Sequence, residues 1–295
     1  MTEPLTFERK TLLGTRLVDS ARNGDMANIV RLLSEGADPK FNQSNALCMA
    51  SAFGHVDCVK LLIPISDPRQ ELSRALRLAA LEGHAECVKL LISVSNPEAS
   101  GSLALRRAAF HGRPECVTLL IPVSKPEADG FAALLAAAEG GCLECVNLLL
   151  PVSDPKALNS KALQLAASNG HAECVKILMP LSDASADGAS ALLAAAEKGH
   201  VECVRLLLPC VADFGLVSCS FFDAVAVGQA AVAAVMLEQR PELYDHFDLV
   251  ACERVSALAG HAELSAFLLA IIDQRGIAST LDAEIAPPKK LAQRL

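Results

Sequence analysis

The sequence predicts an all-α solenoid of about nine helix-turn-helix repeats, and three observations support this fold class. Six cysteines recur at intervals of 29 residues, at Cys58, Cys87, Cys116, Cys145, Cys174 and Cys203. A glycine precedes each of these cysteines by four residues, and leucine and alanine recur at helical spacing around it. A fixed period of this length is the signature of stacked hairpins, because one small hairpin cannot bury its apolar side alone.

Each repeat reads as two short helices joined by a turn. The first helix is predicted where the pattern Ser-x-Ala-Leu-x-x-Ala-Ala occurs, as in Ser160–Ala167, with the serine as its N-cap. Glycine, usually followed by histidine as in Gly170-His171, ends it. The second helix is predicted where Glu-Cys-Val-Lys-Leu-Leu-Ile occurs, as in Glu86–Ile92, and proline closes it at Pro64, Pro122, Pro151, Pro180 and Pro209.

The regularity of the period divides the chain into segments. Residues 44–217 hold six regular repeats, and residues 1–43 are predicted to form N-terminal capping helices and a first repeat. Residues 218–275 hold two divergent C-terminal capping repeats, the last after a three-residue insertion, and residues 276–295 form a polar tail. End repeats are expected to depart from the consensus because one of their faces meets water.

The repeated unit resembles the ankyrin repeat. Residues 76–92 read Leu-Arg-Leu-Ala-Ala-Leu-Glu-Gly-His-Ala-Glu-Cys-Val-Lys-Leu-Leu-Ile, which follows the core pattern of that family and recurs in register. The unit has 29 residues where the family has about 33, so the projecting finger is expected to shrink to a turn such as residues 153–156. The resemblance implies a module that binds proteins through its concave surface. Because the fingers are short, they are not expected to form the binding surface.

Composition indicates which classes of partner are disfavoured and which cellular compartment suits the protein. With 26 basic and 34 acidic side chains the formal net charge is −8, which does not favour nucleic acid. Residues 1–20 lack the apolar core of a secretory leader, and eleven cysteines suit a reducing cytoplasm. The apolar stretch 214–237 is interrupted by Asp223 and by Gly228-Gln229, so it is predicted to be two buried helices, with no membrane partner.

The cysteines and histidines are the side chains that most resemble a chemical site. The cysteine column is predicted to be a small buried hydrophobe, since stacked helices lie too far apart for its members to form disulfides. Cys142 and Cys145 form a Cys-x-x-Cys pair, which with neighbouring histidines is the basis of an alternative reading as a metal or redox protein. The histidines of the inter-helix turns are predicted to bind backbone carbonyls. No catalytic residue, metal ligand or cofactor site is predicted.

The columns that vary between repeats indicate where a partner would bind. In the ankyrin family these columns line the concave surface. The predicted binding surface consists of Arg69, Arg74, Arg77, Arg106, Arg107, Phe110, His111, Phe131 and Gln164. Arg113 is expected to join this basic patch, and Phe110 and Phe131 are expected to be exposed beside it. Arginine and aromatic side chains often dominate binding energy at interfaces, although an ordinary solvent-exposed surface remains the alternative.

Taken together, the sequence predicts a non-catalytic, monomeric protein-interaction module of the cytoplasm. Its partner is expected to be an acidic or amphipathic protein. The regular alanine-rich repeats are also similar to bacterial ankyrin proteins, some of which are delivered into host cells, so export as an effector is a further alternative.

Overall fold

The computed structural model describes residues 6–246 and 248–275, and all of their regular secondary structure is helical. The chain divides into an N-terminal unit, residues 1–166, and a C-terminal unit, residues 167–295. Nine antiparallel helix pairs are present in the described part, which confirms the predicted all-α repeat fold. The predicted polar tail, residues 276–295, lies outside the described residues.

The N-terminal unit is built from five helix pairs and the first helix of a sixth. Its helices are α1 Phe7–Asn23, α2 Met26–Ser34, α3 Phe41–Ala52, α4 Val56–Leu62, α5 Gln70–Glu82, α6 Ala85–Ile92, α7 Ala99–Phe110, α8 Pro114–Leu120, α9 Ala128–Gly140 and α10 Leu143–Leu149. Helix α11, Ala157–Ser168, begins in this unit and ends in the next.

The C-terminal unit continues the pattern with one added helix. Its helices are α12 Ala172–Leu178, α13 Ala186–Glu197, α14 Val201–Leu207, α15 Phe214–Val227, α16 Ala230–Gln239, α17 Leu243–His246, α18 Leu249–Leu258 and α19 Ala262–Arg275. The short helix α17 lies in the connector that contains the three-residue insertion. The apolar stretch 214–237 forms the two separate helices α15 and α16, as predicted. The prediction that both are buried was wrong for part of α15, where Phe222 and Val227 are exposed. No helix of the described residues is long and apolar enough to span a bilayer.

The core of each repeat comes from the positions that recur in the sequence. In the repeat of α5 and α6, Leu76 and Ala79 from the first helix are fully buried. Cys87, Val88 and Leu91 from the second helix are fully buried as well. Because α5 packs against α3 on one side and α7 on the other, these side chains join a core shared by successive hairpins.

The prolines end the second helices by tightening the last turn. Where proline is present the α-helix gives way to a 3₁₀ turn, at Ile63–Ile65, Ile121–Val123, Leu150–Val152, Met179–Leu181 and Leu208–Cys210. The repeat with Ser93 at the proline position has no 3₁₀ turn, and its helix α6 has 8 residues where α4 and α8 have 7. The missing amide proton of proline therefore explains the difference. The connector of residues 153–156 has only four residues, so the finger is shortened as predicted.

A left-handed turn precedes the first helix of the regular repeats, and the sequence analysis did not predict it. In α5, Glu71, Leu72 and Ser73 have φ of 47°, 56° and 61°, and the right-handed helix begins after them. The N–H of Ser73 donates to the carbonyl oxygen of Arg69 at 3.3 Å and closes the turn. Left-handed helical backbone costs about 1–2 kcal/mol per non-glycine residue, so other contacts must offset this strain. We call these segments the left-handed turns; they include residues 42–44, 71–73, 100–102 and 158–160.

The predicted N-cap role of the repeated serine is wrong. Ser73 has a positive φ and is buried, and its Oγ accepts a hydrogen bond at 2.8 Å from the backbone N–H of Asn96, in the next connector. Ser102 accepts at 2.9 Å from the N–H of Lys125 in the same way. Ser73 and Ser102 therefore tie their left-handed turns to the following repeat, through contacts across 23 residues that local propensity cannot reveal.

The histidines of the inter-helix turns bind carbonyl groups of the preceding repeat, as predicted. Nε2 of His55 lies 2.8 Å from the carbonyl oxygen of Arg22, and Nε2 of His200 lies 3.1 Å from that of Ser168. A carbonyl oxygen only accepts, so Nε2 is the donor. Each bond satisfies a carbonyl near the end of a first helix, where the helix itself supplies no partner.

Candidate functional site

All nine residues of the predicted binding surface lie in the N-terminal unit. Seven are on α5, α7, α9 and α11, Arg69 is in the connector before α5, and His111 directly follows α7. Arg77, Arg106 and Gln164 occupy the same position in three repeats, separated by 29 residues each time or twice that distance. The helices α5 and α7 pack side by side, as do α7 and α9, so the surface follows the row of first helices. The fold thus places these side chains in neighbouring repeats.

The left-handed turn at the start of α5, residues 71–73, holds the side chains of Arg74 and Arg77 in place. The carboxylate of Glu71 lies 3.1 Å from Nη1 of Arg74, and its carbonyl oxygen accepts from Nη2 of Arg77 at 2.8 Å. The left-handed conformation of Glu71 turns both its carboxylate and its carbonyl toward the arginines. The charge of Arg74 is therefore paired, whereas Arg77 is held in place by a neutral carbonyl group.

A second acid pairs an arginine across two repeats. Oδ2 of Asp129, in the left-handed first turn of α9, lies 3.3 Å from Nη1 of Arg106 on α7. Their side chains are 63% and 35% exposed, so this ion pair contributes little to stability. It does lower the positive charge of the surface. The sequence analysis missed Glu71 and Asp129, because only the left-handed turns bring them to these arginines.

Arg107 and Phe110 are two exposed neighbours on this surface. They lie three residues apart on α7, which puts them on one side of the helix. Both are exposed, and Arg107 forms no ion pair within the described part of the chain. The ring of Phe110 meets that of His111 edge to face, with centroids 5.0 Å apart. Arginine and aromatic side chains are enriched at binding hot spots, and here an arginine without an ion pair lies beside an exposed aromatic ring.

The other members of the predicted surface contribute less. Phe131 was expected to be exposed, but it is half-buried in the left-handed first turn of α9, at the position that serine occupies in most repeats. Gln164 is half-buried, and its Oε1 accepts from Nζ of Lys161 at 2.6 Å. Arg69 is exposed in the connector. The surface centred on Phe110 is therefore narrower than the one that the sequence predicted.

Arg113 does not join the basic patch. It occupies the histidine position of the inter-helix turn, and its Nε donates to the carbonyl oxygen of Leu81 at 3.1 Å. A Cβ on Gly83 would come within 2.7 Å of Cδ of Arg113. Arg113 thus replaces the histidine bond of other repeats, and its role is structural.

The cysteines of the repeated column are buried hydrophobes in this arrangement. All eleven are free thiols, and the six of the cysteine column are buried. Burial raises the pKa of Cys87 to about 11, and it is the largest cause of the raised pKa of Cys145. A high pKa suppresses the thiolate, which is the nucleophile and the metal ligand.

The Cys142–Cys145 pair acts as a helix cap. Sγ of Cys142 accepts from the backbone N–H of Cys145 at 3.4 Å, at the beginning of α10. Cys142 stands at the histidine position, next to Gly112 of the preceding repeat. No group of three or more His, Cys, Asp or Glu side chains that could hold a metal ion occurs in residues 6–246 and 248–275.

Comparison with known proteins identifies the repeat. The family model described as "Ankyrin repeats (3 copies)" matches residues 17–100, 76–159 and 134–217, which together run without a gap from 17 to 217. No curated protein matches the chain.

Proposed function

Because this chain belongs to the ankyrin-repeat family, we propose that it is a non-catalytic module that binds a protein partner through the row of first helices in its N-terminal unit. Ankyrin repeats are generally protein–protein interaction modules. The observation that carries the proposal is the exposed pair Arg107 and Phe110 on α7, with the arginine free of any acidic partner in the described residues.

The chemistry of this surface favours a partner that is both acidic and apolar. Arg107 offers an uncompensated guanidinium, which binds a carboxylate with two hydrogen bonds. Phe110 offers a ring that is 39% exposed and already held against His111. A rigid repeat orders few groups on binding, so little conformational entropy is lost. An amphipathic segment with an acid next to a large apolar side chain matches these groups.

The test uses a displayed library of random peptides selected against the full chain. We expect the selected peptides to combine Asp or Glu with Leu, Phe or Trp. The double variant Arg107→Glu/Phe110→Ser is expected to bind them at least about tenfold more weakly, since the loss of a charged bond and an aromatic contact exceeds 1.4 kcal/mol. Both side chains are exposed, so helicity measured by circular dichroism should be unchanged.

A matched variant separates the surface from general charge effects. Lys89→Glu makes the same kind of change on the second helix α6, where the Lys89 side chain is 53% exposed. It is expected to bind the selected peptides as the unaltered chain does. Selected peptides that bind all three proteins equally would refute the proposed surface.

We also propose that the chain works as a monomer in a reducing compartment such as the cytoplasm. Its free thiols support this, because Cys210 and Cys219 are exposed and would form mixed disulfides under oxidising conditions. Light scattering of the purified chain with and without reductant tests this: a monomer is expected with reductant, and a dimer that persists with reductant would contradict it.

A further inference from the structure

An apolar groove lies between α15 and α18 in the C-terminal unit. It has a volume of about 230 Å³, and its lining includes Phe222, Val225, Ala251, Cys252, Val255 and Asp248. The side chains of Phe222 and Val255 are 56% and 50% exposed. A second depression, lined by Ser218, Cys219 and Asp223, adjoins the groove at Phe222. We call these two connected depressions the C-terminal groove.

The C-terminal groove lies next to the three-residue insertion that precedes the last repeat. Gly228 and Gly260 are 32 residues apart where the regular glycines are 29 apart, and the extra helix α17 lies between them. Helix α18 packs mainly on its own partner α19 and makes fewer contacts with α15 than regular first helices make with one another. Phe222 and Val255 are therefore left uncovered on facing helices. Exposed apolar side chains that share one groove often mark a binding site.

The rim of the groove is acidic. Oδ1 of Asp248 accepts hydrogen bonds at 3.0 Å from the backbone N–H groups of Val250 and Ala251. These donors are neutral and bring no positive charge to the carboxylate. Asp223 lines the adjoining depression. Arg254 on α18 does not line either depression. An apolar side chain flanked by lysine or arginine is therefore the complementary ligand.

This chain contains a segment with that composition beyond the described residues. Residues 289–295 read Lys-Lys-Leu-Ala-Gln-Arg-Leu, which combines three basic residues with Leu291 and Leu295. Leu291 lies sixteen positions after Arg275, the end of α19. At about 3.3 Å per residue such a length of chain can span about 50 Å, whereas the ten residues of α18 extend about 15 Å. Because α19 packs on α18, the segment is within reach of the groove.

We propose that the C-terminal groove is the docking site of residues 289–295 of the same chain. Leu291 covers Phe222 and Val255, and Lys289 and Lys290 lie near Asp223 and Asp248. The contact goes beyond the proposed partner binding and uses none of its residues. It also supplies apolar cover for side chains that are otherwise exposed to water.

The experiment places a photo-crosslinker in the full-length chain. Leu291→p-benzoylphenylalanine keeps an apolar side chain at the proposed anchor, and irradiation followed by peptide mass spectrometry maps what it touches. An equal mixture of isotopically light and heavy chains separates contacts within one chain from contacts between copies. We expect light–light and heavy–heavy crosslinks to peptides of α15 and α18.

Variants of the crosslinkable chain test the two kinds of contact. Phe222→Ser/Val255→Ser and Lys289→Glu/Lys290→Glu are each expected to lower the yield about tenfold, as the loss of two apolar or two ionic contacts predicts. Val227→Ser is the control, because Val227 is 48% exposed on α15 and does not line the groove. It should leave the yield unchanged.

Three results would overturn the proposal. Light–heavy crosslinks would show that the segment belongs to a second copy, and crosslinks outside α15 and α18 would show that it docks elsewhere. A yield that Phe222→Ser/Val255→Ser leaves unchanged would show that the groove is not used. The crosslink map of the parent chain decides the matter even if a serine variant fails to fold.

Discussion

The imidazole ring of His84 lies against the α-carbon of Gly54 in the preceding repeat. A Cβ at Gly54 would come within 2.5 Å of Nδ1 of His84. Nε2 of the same ring bonds the carbonyl oxygen of Ala52 at 3.0 Å. Gly54 also has φ of 73°, so glycine is required here for its left-handed conformation and for the space above it.

We predict that Gly54→Ala lowers the free energy of unfolding by about 2–4 kcal/mol, from backbone strain and the clash with the ring. Gly260→Ala is the matched control, because Gly260 has φ of 82° and nothing within 4 Å of its would-be Cβ. It should cost only about 1–2 kcal/mol, the backbone part. Urea unfolding of both variants measures the difference. Equal decreases in the free energy of unfolding would show that the clash with the His84 ring does not contribute to it.

We predict that His84→Gln is tolerated and that His84→Ala is not. Gln229 occupies this position in a later repeat and donates from Nε2 to the carbonyl oxygen of Glu197 at 3.0 Å. Glutamine should therefore restore the bond to Ala52, whereas alanine should lower the free energy of unfolding by about 1 kcal/mol. Thermal unfolding monitored by circular dichroism compares the two variants. A glutamine variant as unstable as the alanine variant would show that glutamine does not replace the histidine hydrogen bond.

Removal of the Ser73 hydroxyl should weaken the contact between two repeats. Ser73→Ala removes the acceptor of the partly buried hydrogen bond from the backbone N–H of Asn96, which costs about 0.5–1.5 kcal/mol. Ser93→Ala serves as the control, because Ser93 is exposed after α6. The amide of Asn96 should also exchange its hydrogen faster in the Ser73 variant only. Unchanged exchange there would show that the hydroxyl does not protect this amide.

Gly140→Ala is predicted to be destabilising even though Gly140 lies in a helix. A Cβ at this position would overlap the carbonyl oxygen of Phe110 on α7, and a backbone group cannot move aside as a side chain can. We expect a loss of about 1–3 kcal/mol in urea unfolding. Glu82→Ala, at the same position in an earlier repeat and exposed, should change stability by less than about 0.5 kcal/mol. A Gly140→Ala protein as stable as its parent would show that α7 and α9 can separate.

Alkylation should distinguish two classes of cysteine. Cys210 and Cys219 are exposed, whereas Cys87 and Cys116 are buried and burial raises the pKa of each to about 11. Below that pH the buried thiols stay protonated, and reaction with iodoacetamide requires the thiolate. At pH 7.5 the native chain should therefore be labelled at Cys210 and Cys219, and at Cys87 and Cys116 only after denaturation. Equal labelling by peptide mass spectrometry would show that the core opens readily.

Most of the helical framework could be predicted from the sequence because it follows local rules. The apolar spacing around Leu105 and Leu120 predicts two helices, and Gly112 and Pro122 mark their ends. The left-handed turns were missed because Glu71, Leu72 and Ser73 have no local preference for positive φ. The glycines at Gly101, Gly130 and Gly188 and the asparagine at Asn159, all in the middle of the same triplet, were the available signal.

The candidate site was predicted only in part. The sequence identified Arg107 and Phe110, which are both exposed on one side of α7. It also grouped Arg113 and Phe131 with them, although Arg113 binds a backbone carbonyl and Phe131 is half-buried. Residue type alone does not show whether an arginine is free, paired or used as a structural donor.

The sequence by itself determined the repeat, its period, the two helices of each unit and the burial of the cysteine column, because these depend on the spacing of apolar side chains along one chain. Only the tertiary structure decided the partners of Ser73, His84 and Arg106. Each of these side chains bonds a residue of a neighbouring repeat, 23 to 32 positions away. Those contacts exist only once the hairpins have stacked, and the stacking therefore decides which charges and rings remain free to bind.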